Sequence, residues 1–149
     1  MREIDQIVRN MLTSNGFVLK RNSWYRITDD LIQIINFQKS YFSNKFYLNI
    51  GIDERFEQKI IYKPEYHFPI RLRIESLLSD SQLLQALDFD LNFSESDRLE
   101  NLHTIILHCV NFLNDISNWE QLTLAINDKF HPIHKAAITG AFMKRLKNN

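Results

Sequence analysis

The sequence predicts an α+β fold with an N-terminal helix, an antiparallel sheet of about 5–6 strands, and C-terminal helices packed on one face of that sheet. Three observations favour it. The chain opens with an amphipathic helical pattern, apolar and polar residues then alternate up to residue 75, and from Ser76 the apolar spacing lengthens to about 3.6 residues. The 149 residues, 44% of them hydrophobic, suffice for one core. We therefore expect a single domain over residues 1–149, strand-rich over 17–75 and helical over 76–147.

The first helix is predicted by a stripe of apolar residues, namely Ile4, Ile7, Val8, Met11 and Leu12. Gly16 is expected to end it, because glycine readily adopts the left-handed conformation of a helix C-cap. Two extended runs follow, at residues 17–21 and 23–28, and they predict a first hairpin.

A second hairpin is predicted by residues 31–37 and 45–52, which flank a polar turn. Residues 31–37 are apolar on both faces, as expected of a central strand that helices cover on one side and that is partly covered on the other. In the partner strand, Phe46, Leu48, Ile50 and Ile52 point one way, and Tyr47, Asn49 and Gly51 point the other. Further strands are predicted at residues 58–62 and 70–75.

The rest of the chain predicts helices. Ser94 offers an N-cap to a long helix whose core-facing side consists of Leu99, Leu102, Ile106, Cys109, Leu113 and Ile116. Trp119, Leu122 and Ile126 indicate another helix. A last helix is expected to start near Pro132 and to end in basic residues, which stabilise the negative end of a helix dipole.

Composition narrows the function classes. Acidic and basic residues balance at 18 each, so no global field attracts nucleic acid or an anionic membrane. Cys109 is the only cysteine, and its apolar helical surroundings favour an inert core thiol. The sequence has neither a signal-peptide apolar region nor an apolar run of the roughly 18 residues that a membrane helix needs. We expect a cytoplasmic protein.

Four segments occur in a specific order: GF at 16–17, WYR at 24–26, IINFQKS at 34–40 and FYLNIG at 46–51. Over roughly the first third of the chain they resemble the bacterial domain-of-unknown-function family 4304 (DUF4304). The resemblance implies a small bacterial cytoplasmic α+β protein with no established activity. Some domains of this size and type act as immunity proteins beside toxins, which suggests the same role by analogy of class.

Polar residues at the ends of the second hairpin are candidates for binding a partner or ligand. Gln38, Lys39, Ser40 and Asn49 converge if the two strands pair, and they would present both donors and acceptors. The alternative is that they satisfy backbone groups and hold the shape of the loop.

Arg71 and Arg73 lie two residues apart and therefore on one face of a predicted strand. Guanidinium groups bind carboxylates and phosphates bidentately, and Tyr47 would add contact area to a protein-binding patch. The alternative is a solvated face on which the arginines pair with glutamates, namely Glu57, Glu65 or Glu75.

The sequence supports neither catalysis nor a cofactor. His131 and His134 are three residues apart, but a zinc site would need a nearby Cys pair or a His-Glu-x-x-His core. No nucleophile elbow, phosphate-binding loop or dinucleotide fingerprint occurs. We therefore predict no catalytic residues, no metal ligands and no cofactor.

These observations favour a non-catalytic protein-interaction module, most concretely an immunity-type protein that binds and neutralises a cognate bacterial toxin. The alternative is a small-ligand binder or enzyme acting on a phosphorylated or nucleotide-like molecule, provided that the candidate side chains meet in a concave pocket. We expect a monomer, or a homodimer formed through a strip of small residues, Ala136, Ala137, Gly140 and Ala141.

Overall fold

In the computed structural model, which describes residues 3–55 and 62–147, six strands form one antiparallel sheet. They lie side by side in chain order: β1 (Val18–Lys20), β2 (Ser23–Ile27), β3 (Leu31–Lys39), β4 (Phe46–Glu54), β5 (Ile70–Arg73) and β6 (Ala137–Ile138). The helices are α1 (Glu3–Ser14), α2 (Ser81–Leu84), α3 (Glu95–Asn114), α4 (Trp119–Asn127) and α5 (Gly140–Lys147). Single 3-10 turns occur at Glu65–His67, Ile74–Ser76, Gln85–Leu87 and Pro132–Lys135. The predicted fold class is confirmed.

The helices cover one face of the sheet and form the main core with it. Ile35 pairs with Ile50 across β3 and β4, and both side chains are buried in a cluster that also includes Leu12 of α1 and Ile106 of α3. Burial of each such side chain contributes about 1.5–3 kcal/mol, so this face provides much of the fold's stability. Gly16, with φ of +86°, ends α1 as predicted.

One polar side chain interrupts this apolar face. Gln33 is fully buried, and its Nε2 donates to the carbonyl oxygens of Leu113 at 2.8 Å and Ile116 at 2.6 Å. Its Oε1 accepts from Arg26 Nε at 2.9 Å. Both ends of the amide are therefore satisfied, and Gln33 ties the middle of the sheet to the end of α3.

The other face of the sheet is divided into two halves. Residues 62–69, which lead into β5, place Phe68 against Tyr25, Ile32 and Ile34, and these four side chains form a second buried cluster. The remaining half has polar side chains, and no helix of the described residues lies over it. The sequence predicted that this face would be partly covered, and the cover is a connecting segment.

One expectation about the C-terminal region was wrong. The last helix starts at Gly140 and not near Pro132, and β6 precedes it and pairs Ile138 with Ile70. The small residues proposed for self-association are consequently split between a strand edge and the start of α5.

The strand predicted at residues 58–62 falls almost wholly on residues 56–61, which lie outside the described part of the chain. Within the described ranges, no helix has the length and apolar character that spanning a bilayer requires.

The absence of a side chain at Gly51 is required for the second cluster. A Cβ built there would lie 2.7 Å from Ile34 Cγ2 and 3.0 Å from the Phe68 ring, and both of those side chains are buried. We expect Gly51→Ala to lower the free energy of unfolding by about 1–3 kcal/mol, as overpacking does. Urea denaturation of the two proteins measures the difference.

Gly140→Ala is the matched control, because a Cβ at Gly140 would meet nothing within 4 Å. It should leave stability unchanged or raise it slightly, since alanine favours a helix. Equal losses in the two variants would contradict the packing argument.

Candidate functional site

A row of polar side chains crosses the open half of the sheet. Ser23, Asn36, Asn49 and Arg73 are neighbours in register on β2, β3, β4 and β5. Asn36 Nδ2 donates to Ser23 Oγ at 2.9 Å, and Asn49 Nδ2 donates to Asn36 Oδ1 at 3.2 Å. Asn49 Nδ2 also donates to Gln38 Oε1 at 3.0 Å, and Asn49 is only 4% exposed. These linked amides hold one another in fixed orientations.

An aromatic ring and two cations lie beside this row. Tyr47 pairs with Gln38 across the hairpin, and the Arg73 guanidinium carbon is 4.3 Å from the centre of the Tyr47 ring. Lys45 Nζ lies 5.3 Å from the centre of the same ring. Because Arg73 is exposed and stacked, its N–H groups are positioned without being buried.

The tip of the β3–β4 hairpin presents two aromatic side chains to solvent. Tyr41 is 95% exposed and Phe42 is 98% exposed. The tip is nevertheless ordered by hydrogen bonds: Ser40 Oγ accepts from the Phe42 N–H at 3.2 Å, and the Ser40 N–H donates to the Lys45 carbonyl at 2.8 Å. Both rings are therefore exposed on an ordered loop.

A second contact fixes the tip to the segment that follows α2. The Asn44 backbone N–H donates to Asp90 Oδ2 at 3.1 Å, and Asn44 Nδ2 donates to Asp90 Oδ1 at 2.9 Å. These hydrogen bonds, the backbone one first, hold the pKa of the Asp90 carboxyl below its usual range. Asp90 stays ionised at neutral pH and keeps both bonds.

Arg71 and Arg73 share a face, as predicted, but their surroundings differ. Arg71 donates to both carboxylate oxygens of Glu65, from Nε at 2.8 Å and from Nη2 at 3.2 Å, and Glu65 is 8% exposed. Of the two interpretations of the arginine pair, pairing with a glutamate therefore describes Arg71. Arg73 stays at the open surface beside Tyr47.

Lys39 and Ser40 do not join the polar row. Successive residues of a strand point to opposite faces, so Lys39 is directed to the helix side, where it lines a groove beside α1. Ser40 orders the hairpin tip, as the structural alternative proposed. The set predicted for a phosphorylated ligand, Lys39, Ser40, Asn49 and the two arginines, is thus divided between two faces of the sheet and does not form one pocket.

The comparison with protein families decides what kind of chain this is. Residues 8–133 match the family model described as "Domain of unknown function (DUF4304)". The chain belongs to the DUF4304 family. The match extends through β1 to β5 and across α3 and α4, well beyond the first third over which the sequence resembles the family. No curated protein matches the chain, and no solved structure matches it either.

The described part of this DUF4304 chain has no group of three or more His, Cys, Asp or Glu residues that could hold a metal ion. His131 Nδ1 accepts from the Ile133 N–H at 3.1 Å, and His134 Nδ1 lies 3.0 Å from the Ile126 carbonyl oxygen. Cys109 is fully buried, and burial raises the pKa of its thiol. A thiol in that state is a poor nucleophile, so Cys109 is a core residue.

Several residues of this surface were missed by sequence reasoning. Tyr41 and Phe42 lie in a segment predicted as a polar turn, although two consecutive aromatic residues in a turn are themselves a signal of binding. Ser23 and Asn36 gave no signal, since their importance depends on which strand lies next to which. Gln38, Tyr47, Asn49 and Arg73 lie together on the open half of the sheet.

Arg71 and Arg73 provide a matched pair of variants. Arg71→Ala removes two hydrogen bonds from a buried carboxylate, and we expect it to lower the free energy of unfolding by about 1–2 kcal/mol. Arg73→Ala removes an exposed stack and should cost less than about 0.5 kcal/mol. Urea denaturation at neutral pH measures both.

Adding Glu65→Gln to Arg71→Ala should restore part of the lost stability, because the unpaired buried group is then neutral. Equal losses from the two arginine variants would show that the Arg71–Glu65 pair does not hold the connecting segment in place.

Proposed function

We propose that this protein is a non-catalytic protein-interaction module that binds a partner protein through the docking surface, which we define as Gln38, Tyr41, Phe42, Lys45, Tyr47 and Arg73. Its most concrete form is an immunity-type protein of the bacterial cytoplasm that binds and neutralises a cognate toxin. The observation that supports the proposal best is the pair of almost fully exposed aromatic side chains at an ordered hairpin tip.

The composition of the docking surface resembles that of protein interfaces. Tyrosine and arginine are enriched where single residues dominate binding energy, and Tyr47 and Arg73 are stacked on each other. Tyr41 and Phe42 would lose most of their exposed area on docking. Removal of that apolar area from water is the main source of affinity in such contacts.

The charge of this region indicates the chemistry of the partner. Residues 36–49 contain no acidic residue, Lys45 and Arg73 flank the Tyr47 ring, and the Asp90 carboxylate beside the tip accepts hydrogen bonds from Asn44. An acidic partner surface would be attracted to these cations and oriented by them. We therefore infer that the partner presents carboxylates around an apolar depression that receives the hairpin tip.

Capture from extracts of the source cells tests the proposal. The wild-type chain should retain one partner that Tyr41→Ser/Phe42→Ser retains poorly, because two aromatic contacts are lost. With the purified partner, we expect an affinity at least about tenfold lower for the double variant, measured by calorimetry. Co-expression of the partner should stop growth, and the wild-type chain should restore it where Arg73→Glu does not.

Phe130→Ser is the control, because Phe130 is 85% exposed, lies in the turn after α4 and is not one of the residues that define the docking surface. It should retain the partner as well as the wild type does. Equal retention by the tip variant and the wild type would contradict the proposed surface. A captured partner whose expression is harmless would contradict the immunity role and leave the interaction role standing.

A further inference from the structure

We propose that the α1 groove, the cavity between α1 and the helix-side face of the sheet, binds a single-chain amphiphile with an anionic head group, of the kind represented by a fatty-acid carboxylate. None of the residues that define the docking surface lines this groove, so this inference is independent of the proposed partner. It rests on the shape, lining and charge of the groove.

The groove has an apolar interior of suitable size. Its volume is about 680 Å³, within the range of roughly 300–1,000 Å³ typical of small-ligand sites. Helix α1, the first hairpin, the end of the β3–β4 hairpin and residues 87–89 surround it. The apolar lining consists of Ile4, Val8, Leu19, Trp24, Phe37, Phe46, Leu87, Phe89 and Leu102.

The polar lining is predominantly cationic. Arg9, Arg21 and Lys39 line the groove, and Asp5 is the one acidic residue among the described residues that line it. The Arg9 guanidinium carbon lies 5.7 Å from the centre of the Trp24 ring, so one cation lies directly beside the apolar wall. Arg9 and Arg21 are the two guanidinium groups of this lining. A ligand with an apolar chain inside the groove and an anionic group at these arginines would match both the apolar and the cationic lining.

Arg21 occupies a position where arginine is unusual. It is the first residue of the two-residue turn between β1 and β2, and its φ is +58°. Among the described residues no other non-glycine residue has a positive φ. Glycine or asparagine normally fills such a position, since a larger side chain costs about 1 kcal/mol there. An arginine that is locally unfavourable and lines a groove is consistent with a binding role.

Dodecanoate and dodecyltrimethylammonium test the charge preference, because they share a chain and carry opposite charges. Both are titrated as monomers against the full chain carrying Trp119→Phe. In this variant Trp24 of the groove wall is the only tryptophan. Dodecanoate should shift the wavelength of the Trp24 emission in a saturable way. Dodecyltrimethylammonium should bind at least about tenfold more weakly.

Arg21→Gly separates binding from folding. It removes a cation from the groove and places glycine at a positive φ, so the melting temperature should stay the same or rise. Affinity for dodecanoate should fall about five- to tenfold. Lys144→Ala, which removes an exposed cation of α5, should change neither quantity.

The outcomes are distinct. Equal binding of the two amphiphiles, full affinity in Arg21→Gly, or absence of saturable dodecanoate binding would each overturn the proposal. Sedimentation with phosphatidylglycerol vesicles without binding of monomeric dodecanoate would also overturn it, in favour of a membrane surface. Tyr41→Ser/Phe42→Ser should bind dodecanoate normally, so failure of the partner proposal would leave this one intact.

Discussion

The contact between Phe68 and Gly51 determines which half of the outer sheet face is covered and which half is open. The Phe68 ring packs where a side chain on β4 would otherwise lie, and it joins Tyr25 and Ile34 in a buried cluster. This contact holds the connecting segment over one half of the face, and the Arg71–Glu65 ion pair also fixes the segment there. The other half of the same face is left open because the segment ends at β5. The position of the proposed docking surface is thus a consequence of where one aromatic ring packs.

The boundary between the two halves is encoded in the strands themselves. On β3 the residues of this face change from Ile32 and Ile34, which are buried under the segment, to Asn36 and Gln38. The neighbouring strand β2 changes at the same level, and the pairs in register are Tyr25 with Ile34 and Ser23 with Asn36. On these two strands the change from apolar to polar therefore falls along one line across the sheet. A strand with a uniform apolar face would have required a longer cover or would have exposed apolar area to water.

The sequence predicted those elements whose side chains repeat often enough to form a pattern. Strand β4 alternates over nine residues, and α3 keeps one apolar stripe over five turns, so both were found. Strand β6 has only two residues and exists because Ile138 pairs with Ile70, which no local pattern reveals. For the site, hairpin pairing predicted that Gln38 and Asn49 would meet. The period of two also separates Lys39 from them, which a stricter use of the same rule would have shown.

The end of the β3–β4 hairpin contributes to both proposed sites, and its rigidity explains how it can do so. Gln38 and Lys39 are adjacent in the chain but point to opposite faces, towards the docking surface and the α1 groove respectively. Two hydrogen bonds from Asn44 to Asp90 hold the tip between them. Ordering a mobile side chain on binding costs about 0.5–1.5 kcal/mol, and a loop that is already fixed avoids part of that cost. An exposed aromatic pair on a held loop can therefore contribute most of its apolar area to affinity, whereas the same pair on a mobile loop would lose a substantial part of it to entropy.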